Sequence, residues 1–242
     1  MKKNLLALAF LVGLLTCCKS EDAPIKPVKP TDPGSINKEY MSRAETTFAN
    51  IFKYYWSDKV RMMFGSYPNT LGTPQEPSSP DYDSHAYLWG LGSVVSAFNA
   101  IVQNTDNVDF RMTYESRLKE TLLKYYNTTK EPMCFGCFVN PHDQRLYDDA
   151  IWVGIDLADL YSKTKDSWYL DYAKSVWNFV LSGKDDELGG GVYWDENAKD
   201  SKNTCSNAPA VVLALKLYQI TNDAAYLENG KDTVSYTHLR AH

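Results

Sequence analysis

A fifteen-residue stretch of this chain occurs twice. Leu160-Tyr161-x-x-Thr164-x-Asp166-x-x-Tyr169-Leu170-x-x-x-Lys174 matches Leu217-Tyr218-x-x-Thr221-x-Asp223-x-x-Tyr226-Leu227-x-x-x-Lys231, with seven identities at one offset of 57 residues. In each copy an aspartate stands where a helix needs an N-cap, and a Tyr-Leu pair three and four positions on begins an apolar face. Each copy therefore reads as the turn of a helical hairpin. Repeated hairpins predict an α/α solenoid or a closed α/α toroid. Solenoid repeats run at about 34–47 residues. The longer period, with long loops after every second helix, favours a toroid with a loop-built cleft at one end.

The rest of the chain agrees. From Asn37 to Thr233 apolar residues recur at helical spacing, without convincing strand alternation. Helices are expected at about 37–56, 85–102, 110–126, 148–162, 167–181 and 208–220, with another from Ala224. The first two are separated by a loop with Gly65, Pro68, Gly72, Pro74, Pro77 and Pro80. At 44% hydrophobic the chain can bury one sizeable core. A net charge of −5 with no Lys/Arg stripe argues against a nucleic-acid partner. The 17 Tyr, 6 Trp and 9 Phe suit a carbohydrate-handling surface, although most of these rings must fill core.

Both ends read differently from the middle. Lys2 and Lys3 precede an apolar run from Leu5 to Leu15, and Leu15-Thr16-Cys17-Cys18 resembles a lipobox with Cys18 as the lipidated residue. Residues 1–17 are then a signal peptide. Residues 18–36, with Pro24, Pro27, Pro30 and Pro33, form an extended Pro-rich linker. Lys19-Ser20-Glu21-Asp22 is similar to the tag that exports lipoproteins to the cell surface. The expectation is an outer-membrane lipoprotein, on the cell surface or periplasmic face, touching the membrane through its anchor only. Residues 234–242 resemble translated sequencing-adapter DNA and break the helical pattern. They are expected to be non-native, leaving a partial domain over 37–233 of a longer protein that is a monomer when full length.

The chemistry concentrates in three places. Tyr147-Asp148-Asp149-Ala150-Ile151-Trp152 puts two carboxylates side by side at a helix start. Helix capping is the plain alternative. As a catalytic pair, adjacent helical carboxylates lie roughly 5–6 Å apart, the spacing of a retaining glycosidase. Their like charges also push the two titrations apart. Next come Gly189, Gly190 and Gly191 with Tyr193 and Trp194: glycines that let backbone approach a ligand, and rings that could wall a sugar site. Lys202, Asn203 and Asn207 follow as candidate hydrogen-bonders to sugar hydroxyls, or as loop and cap residues. Cys134, Cys137 and Cys205 with His142 could form a zinc set, but an oxidised pair or free thiols fits better. No cofactor or metal is expected.

Taken in order, these motifs resemble glycoside hydrolase family 76. They are Tyr-Asp-Asp-x-x-Trp at a helix start, the Tyr-x-x-Thr-x-Asp-x-x-Tyr-Leu turn, Gly-Gly-Gly-x-x-Trp, then Lys-Asn and Asn before a helix. Asp83-Ser84-His85 ahead of Tyr87-Leu88-Trp89 resembles an opening found there too. The resemblance spans about Asn37 to Thr233. It implies an all-α (α/α)6 toroid, here incomplete with about seven of twelve helices. It also implies a retaining endo-α-1,6-mannanase acting on mannan or its oligosaccharides. Asp148 falls on the nucleophile and Asp149 on the acid/base. The substrate contacts would come from Tyr147, Trp152, the three glycines, Tyr193, Trp194, Lys202, Asn203, Asn207, Asp83 and His85. Ala150 departs from the family, where a polar residue often follows the pair. Alternatives are a non-catalytic glycan-binding lipoprotein and another (α/α)6 carbohydrate-active enzyme.

Overall fold

The two copies of the repeated turn close with the same hydrogen bonds. Each first helix ends on a residue in the left-handed region, Lys165 at φ 61° and Asn222 at φ 57°. Their N–H groups reach back to the carbonyls of Tyr161 and Tyr218, both at 2.8 Å. The Thr164 and Thr221 hydroxyls donate to the carbonyls of Leu160 and Leu217, both at 2.7 Å. Each hydroxyl then accepts from the next aspartate's backbone, Asp166 at 3.3 Å and Asp223 at 3.2 Å. The aspartate side chains cap the following helices, accepting from Trp168 N at 3.0 Å and Ala225 N at 2.9 Å. The repeated residues are those that stop one helix and start the next.

The computed structural model describes residues 33–68, 85–139 and 144–239. Seven helices lie among them: α1 Pro33–Tyr55, α2 Leu88–Asn104, α3 Val108–Tyr125, α4 Tyr147–Thr164, α5 Ser167–Ser182, α6 Thr204–Thr221 and α7 Ala224–Leu239. Two short antiparallel ladders tie loops together, β1 Trp56–Ser57 with β2 Met62–Met63 and β3 Tyr126–Asn127 with β4 Cys134–Phe135. No described helix is long and apolar enough to cross a membrane.

Three boundaries differ from expectation. The backbone of α1 is helical from Pro33, inside the span expected as extended linker; proline is pre-set for a first helical position. α6 begins at Thr204, one turn before Ala208, and carries Pro209 inside it. Proline is tolerated in the first turns of a helix, where the N–H it lacks has little or no intrahelical partner to lose. α7 continues through Leu239, so its backbone crosses residues expected to break the pattern. Thr233 and Ser235 there donate to the carbonyls four residues back, Asn229 at 2.9 Å and Lys231 at 3.2 Å. Cys18, most of the linker and Asp83 lie outside the described residues.

The helices alternate between two layers. α4 packs on α2 and α6, while α5 lies against α4 and α7 against α6. Phe48 of α1 meets Phe98 of α2 and Phe110 of α3, at 5.9 Å and 5.4 Å between ring centres. Gly154 lets α4 approach both neighbours: a Cβ there would lie 2.9 Å from Val176 Cγ1 and 3.0 Å from Leu213 Cδ2. α2, α4 and α6 run in one direction. Ser96 of α2 meets Asp156 of α4 at 2.5 Å, and further along both helices Gln103 meets the Asp159 carbonyl at 2.9 Å. Lys216 of α6 reaches Asp159 Oδ1 at 2.5 Å. The N-termini of the three inner helices therefore open at the same end. The protein is all-α, an arc of an (α/α)6 toroid.

Candidate active site

The start of α4 is clamped from behind. Tyr147 is buried and stacks on Phe179, 4.3 Å between centres at 15°. Its N–H donates to the Trp194 carbonyl at 3.0 Å. Arg145, fully buried, binds both carboxylate oxygens of Glu196, with Nε to Oε2 at 2.8 Å. It also donates to the carbonyls of Lys130 and Pro132, at 3.2 and 2.7 Å, and lies over the Phe179 ring. A charge this deep persists because all three guanidinium nitrogens donate, two of them to the Glu196 carboxylate. Tyr147, expected to touch substrate, is instead a core anchor; a ring so placed has no face left for a sugar.

With Tyr147 turned inward, Asp148 and Asp149 turn outward, and Trp152 follows on the same face one turn later. The Trp194 indole N–H donates to Asp148 Oδ2 at 3.2 Å. Burial first, and then the Asp148 charge, push the Cys205 thiol of α6 above its usual range. Asp148 Oδ1 is shielded from solvent and has no hydrogen-bond partner among the described residues. Such an orphaned acceptor is costly unless something else is meant to meet it. Asp149 is half-buried and lines a cavity together with Cys137. Burial first, and then the charge of Asp148, push its carboxyl up to about 6, against a smaller downward pull from that thiol.

Asp149 lines two open cavities. One, about 690 Å³, carries the rings of Tyr55, Phe64, Tyr87, Trp89 and Phe138. The other, about 270 Å³, lies between Asp149, Trp89, Ser93 and Trp152. Trp89, Trp152 and Trp194 are 56%, 42% and 36% exposed. Three tryptophan faces open to water beside a carboxylate pair suit a sugar chain, which offers apolar ring faces and hydroxyls together.

Several expected contacts have other tasks. Lys202 is buried and donates to the Asp185 carbonyl at 2.8 Å, Asp185 Oδ1 at 2.6 Å and the Glu187 carbonyl at 2.8 Å. With its three N–H bonds engaged it cannot greet a sugar. Its ammonium lies 4.4 Å from the centre of Tyr193, which is buried and walls no site. Asn207, also buried, accepts from Val192 N at 2.7 Å and donates to the carbonyls of Val192 and Asn203, both at 2.9 Å. Lys202 and Asn207 thus fasten the glycine loop to α6 and hold Trp194 where its indole meets Asp148. Gly189, Gly190 and Gly191 adopt φ of 87°, 91° and 78°. Nothing lies within 4 Å of a Cβ built at Gly189 or Gly190, so backbone conformation, not close approach, demands glycine there.

Asn203 is exposed at the start of α6, its carbonyl taking Ser206 N and Asn207 N at 3.1 Å and its side chain capping nothing. His85 stacks on Phe64 at 6.3 Å and is held below its usual range by burial and the Lys124 charge; its neighbours Ala86 and Tyr87 line the larger cavity. Cys134, Cys137 and Cys205 are free thiols, so no oxidised pair forms among them, and His142 lies outside the described residues. Sequence reasoning missed Cys137, Tyr87 and Phe138 as wall residues. The Cys-Phe-Gly-Cys segment was visible, but not what it faces.

The sequence profile of glycosyl hydrolase family 76 matches residues 39–239. A search of curated proteins returns no match. Among solved structures, a family 76 glycoside hydrolase from a bovine Bacteroides thetaiotaomicron strain aligns with a TM-score of 0.70 at 29% identity, over 83% of this chain and 42% of that one. A family 76 mannosidase from Bacteroides thetaiotaomicron aligns at 0.69 and 25%, over 82% and 53%. An inactive α-1,6-mannanase variant from Salegentibacter, with two consecutive aspartates replaced by alanine and α-1,6-mannotetraose bound, aligns at 0.58 and 22%, over 80% and 49%. The chain spans about half the length of these structures. With its profile match covering most of the sequence, the chain belongs to glycosyl hydrolase family 76.

Proposed function

We propose that this protein is a retaining glycoside hydrolase that cleaves α-1,6-mannosidic linkages in mannan. The observation that carries the reading is the unequal treatment of two adjacent carboxyls. Asp149 is held up at about 6, so it keeps a proton in mildly acidic solution and can give it to a departing sugar oxygen. Asp148 offers a shielded, unpartnered Oδ1 while Trp194 holds its Oδ2. That division suits a nucleophile, whose free oxygen attacks the anomeric carbon, beside an acid that later serves as base toward water. Two consecutive aspartates are also what the inactive, mannotetraose-bound Salegentibacter variant lacks.

The exposed faces of Trp89, Trp152 and Trp194, with the aromatic cavity beside Asp149, supply the surface along which a mannan chain lies. Asn203 is the remaining polar candidate at the rim. Lipidation at Cys18, attachment to the outer membrane by that anchor and a monomeric state belong to the same proposal; loss of metabolic fatty-acid labelling in Cys18→Ala tests the anchor. The enzymatic test is hydrolysis of α-1,6-mannotetraose by wild type, Asp148→Asn and Asp149→Asn. Turnover by wild type, lost in both variants with binding retained, supports the reading. Binding without turnover in all three would make the protein a glycan-binding module.

A further inference from the structure

Two backbone segments are paired beside Asp148. Leu146 faces Asp195 in an antiparallel bridge. On either side of it Tyr147 N donates to the Trp194 carbonyl at 3.0 Å, and Glu196 N donates to the Arg145 carbonyl at 3.3 Å. Asp148 follows the first segment directly, and Trp194 opens the second. The bridge therefore sets the register in which the indole N–H meets Asp148 Oδ2 at 3.2 Å. Two backbone hydrogen bonds are a weak lock, each contributing about 1 kcal/mol net. The side chains across the bridge supply a stronger one. The Arg145 guanidinium holds both Glu196 oxygens, and Lys130 Nζ reaches Glu196 Oε2 at 3.0 Å. Arg145 is itself anchored through Nη1 to the carbonyls of Lys130 and Pro132. The Glu196 side chain is only 13% exposed. Burial pushes its carboxyl up, but the bonds from Arg145 and Lys130 outweigh that push and hold it below the usual range. A bidentate guanidinium–carboxylate pair fixes direction as well as charge.

We infer that Glu196 is a positioning residue: held by Arg145 and Lys130, it fixes the Trp194 segment so that the indole N–H occupies Asp148 Oδ2 and leaves Oδ1 as the oxygen free to react. Its effect on turnover rests on the reading of Asp148 as nucleophile. Its effect on the indole hydrogen bond does not. The plainer task for Glu196 is to neutralise the buried Arg145 charge. Loss of that task alone would lower stability without singling out the indole.

The test follows the Trp194 indole proton by NMR in substrate-free protein, assigned with Trp194→Phe. Asp148→Ala marks its position without the hydrogen bond. Glu196→Gln, which keeps the size of the side chain and removes its charge, should move the resonance upfield toward that mark. Phe110→Leu, a core change on α3 away from the bridge, should leave it in place. On α-1,6-mannotetraose, Glu196→Gln should lower kcat about fivefold in the wild-type background. Added to Trp194→Phe it should cost less than about twofold, because residues that act through one contact do not add. Should Glu196→Gln fail to fold, Glu196→Asp, which keeps the charge beside Arg145 on a shorter arm, carries the same expectations. A resonance unmoved by the Glu196 variant, or moved as far by Phe110→Leu, overturns the inference, and so do equal kcat losses in both backgrounds. Absence of mannan hydrolysis by wild type would count against the proposed function and leave the resonance to decide.

Discussion

The Trp194 indole N–H donates to Asp148 Oδ2 at 3.2 Å, joining residues 46 positions apart. The contact depends on the glycine loop that Lys202 and Asn207 fasten from below. Trp194→Phe keeps an aromatic face but deletes the donor. Turnover should fall about fivefold to tenfold, the effect of one long bond to a charged group. Substrate affinity should change little. Steady-state kinetics on α-1,6-mannotetraose separate the two, and an unchanged kcat would show that the indole only stacks.

Asp149 sets the alkaline side of the pH profile. Its carboxyl must be protonated for the first step, and it is held at about 6. The rate of that step should therefore decline as pH rises through about 6, and the decline should vanish in Asp149→Asn at a much lower rate. Measuring kcat/KM from pH 4 to 9 checks this.

Asp156 tests the linkage between burial and stability. It is buried on α4, accepts from Ser96 at 2.5 Å and Asn99 at 2.9 Å, and burial pushes it up to about 6. Asp159 on α4 and Lys216 on α6 are the charges facing it. Because the folded value lies above the unfolded one, its stabilising effect is full below about pH 4 and lost as pH climbs through about 6. Asp156→Asn keeps both hydrogen bonds if the Ser96 hydroxyl reverses. It should remove about 2 kcal/mol of the stability loss between pH 4 and 7, read by urea unfolding at both values.

Gly183 faces the Tyr147 ring so closely that a Cβ would sit 2.3 Å from Cζ. Gly183→Ala should cost about 2–3 kcal/mol and lower Tm, because the stacked ring has nowhere to go. It should also weaken catalysis by shifting the start of α4. A variant of unchanged Tm would show that the clamp behind the pair is soft.

Much of the fold was legible because its determinants are local. Thr164, Asp166, Thr221 and Asp223 act on atoms two to four residues away, so their spacing alone announces the turn. Asp148 and Asp149 were legible for the same reason. Lys202, Asn207, Tyr147 and Tyr193 were not. A polar or aromatic residue near a site can serve the ligand or the scaffold, and the choice is made by distant partners: Asp185 for Lys202, Val192 for Asn207, Phe179 for Tyr147. Cys137 stayed hidden because the fold brings it into the cavity that Asp149 lines, through α2 and the loop carrying Gln144. No spacing rule connects those segments.

The central claim is that Asp148 forms a covalent bond to the sugar while Asp149 manages the proton. The anomeric configuration of the first product reports this directly, since two displacements restore what one inverts. Proton NMR of α-1,6-mannotetraose during the first moments of hydrolysis, before mutarotation, should show the α anomer at the new reducing end. An initial β anomer would contradict the account, because it would remove Asp148 as a nucleophile.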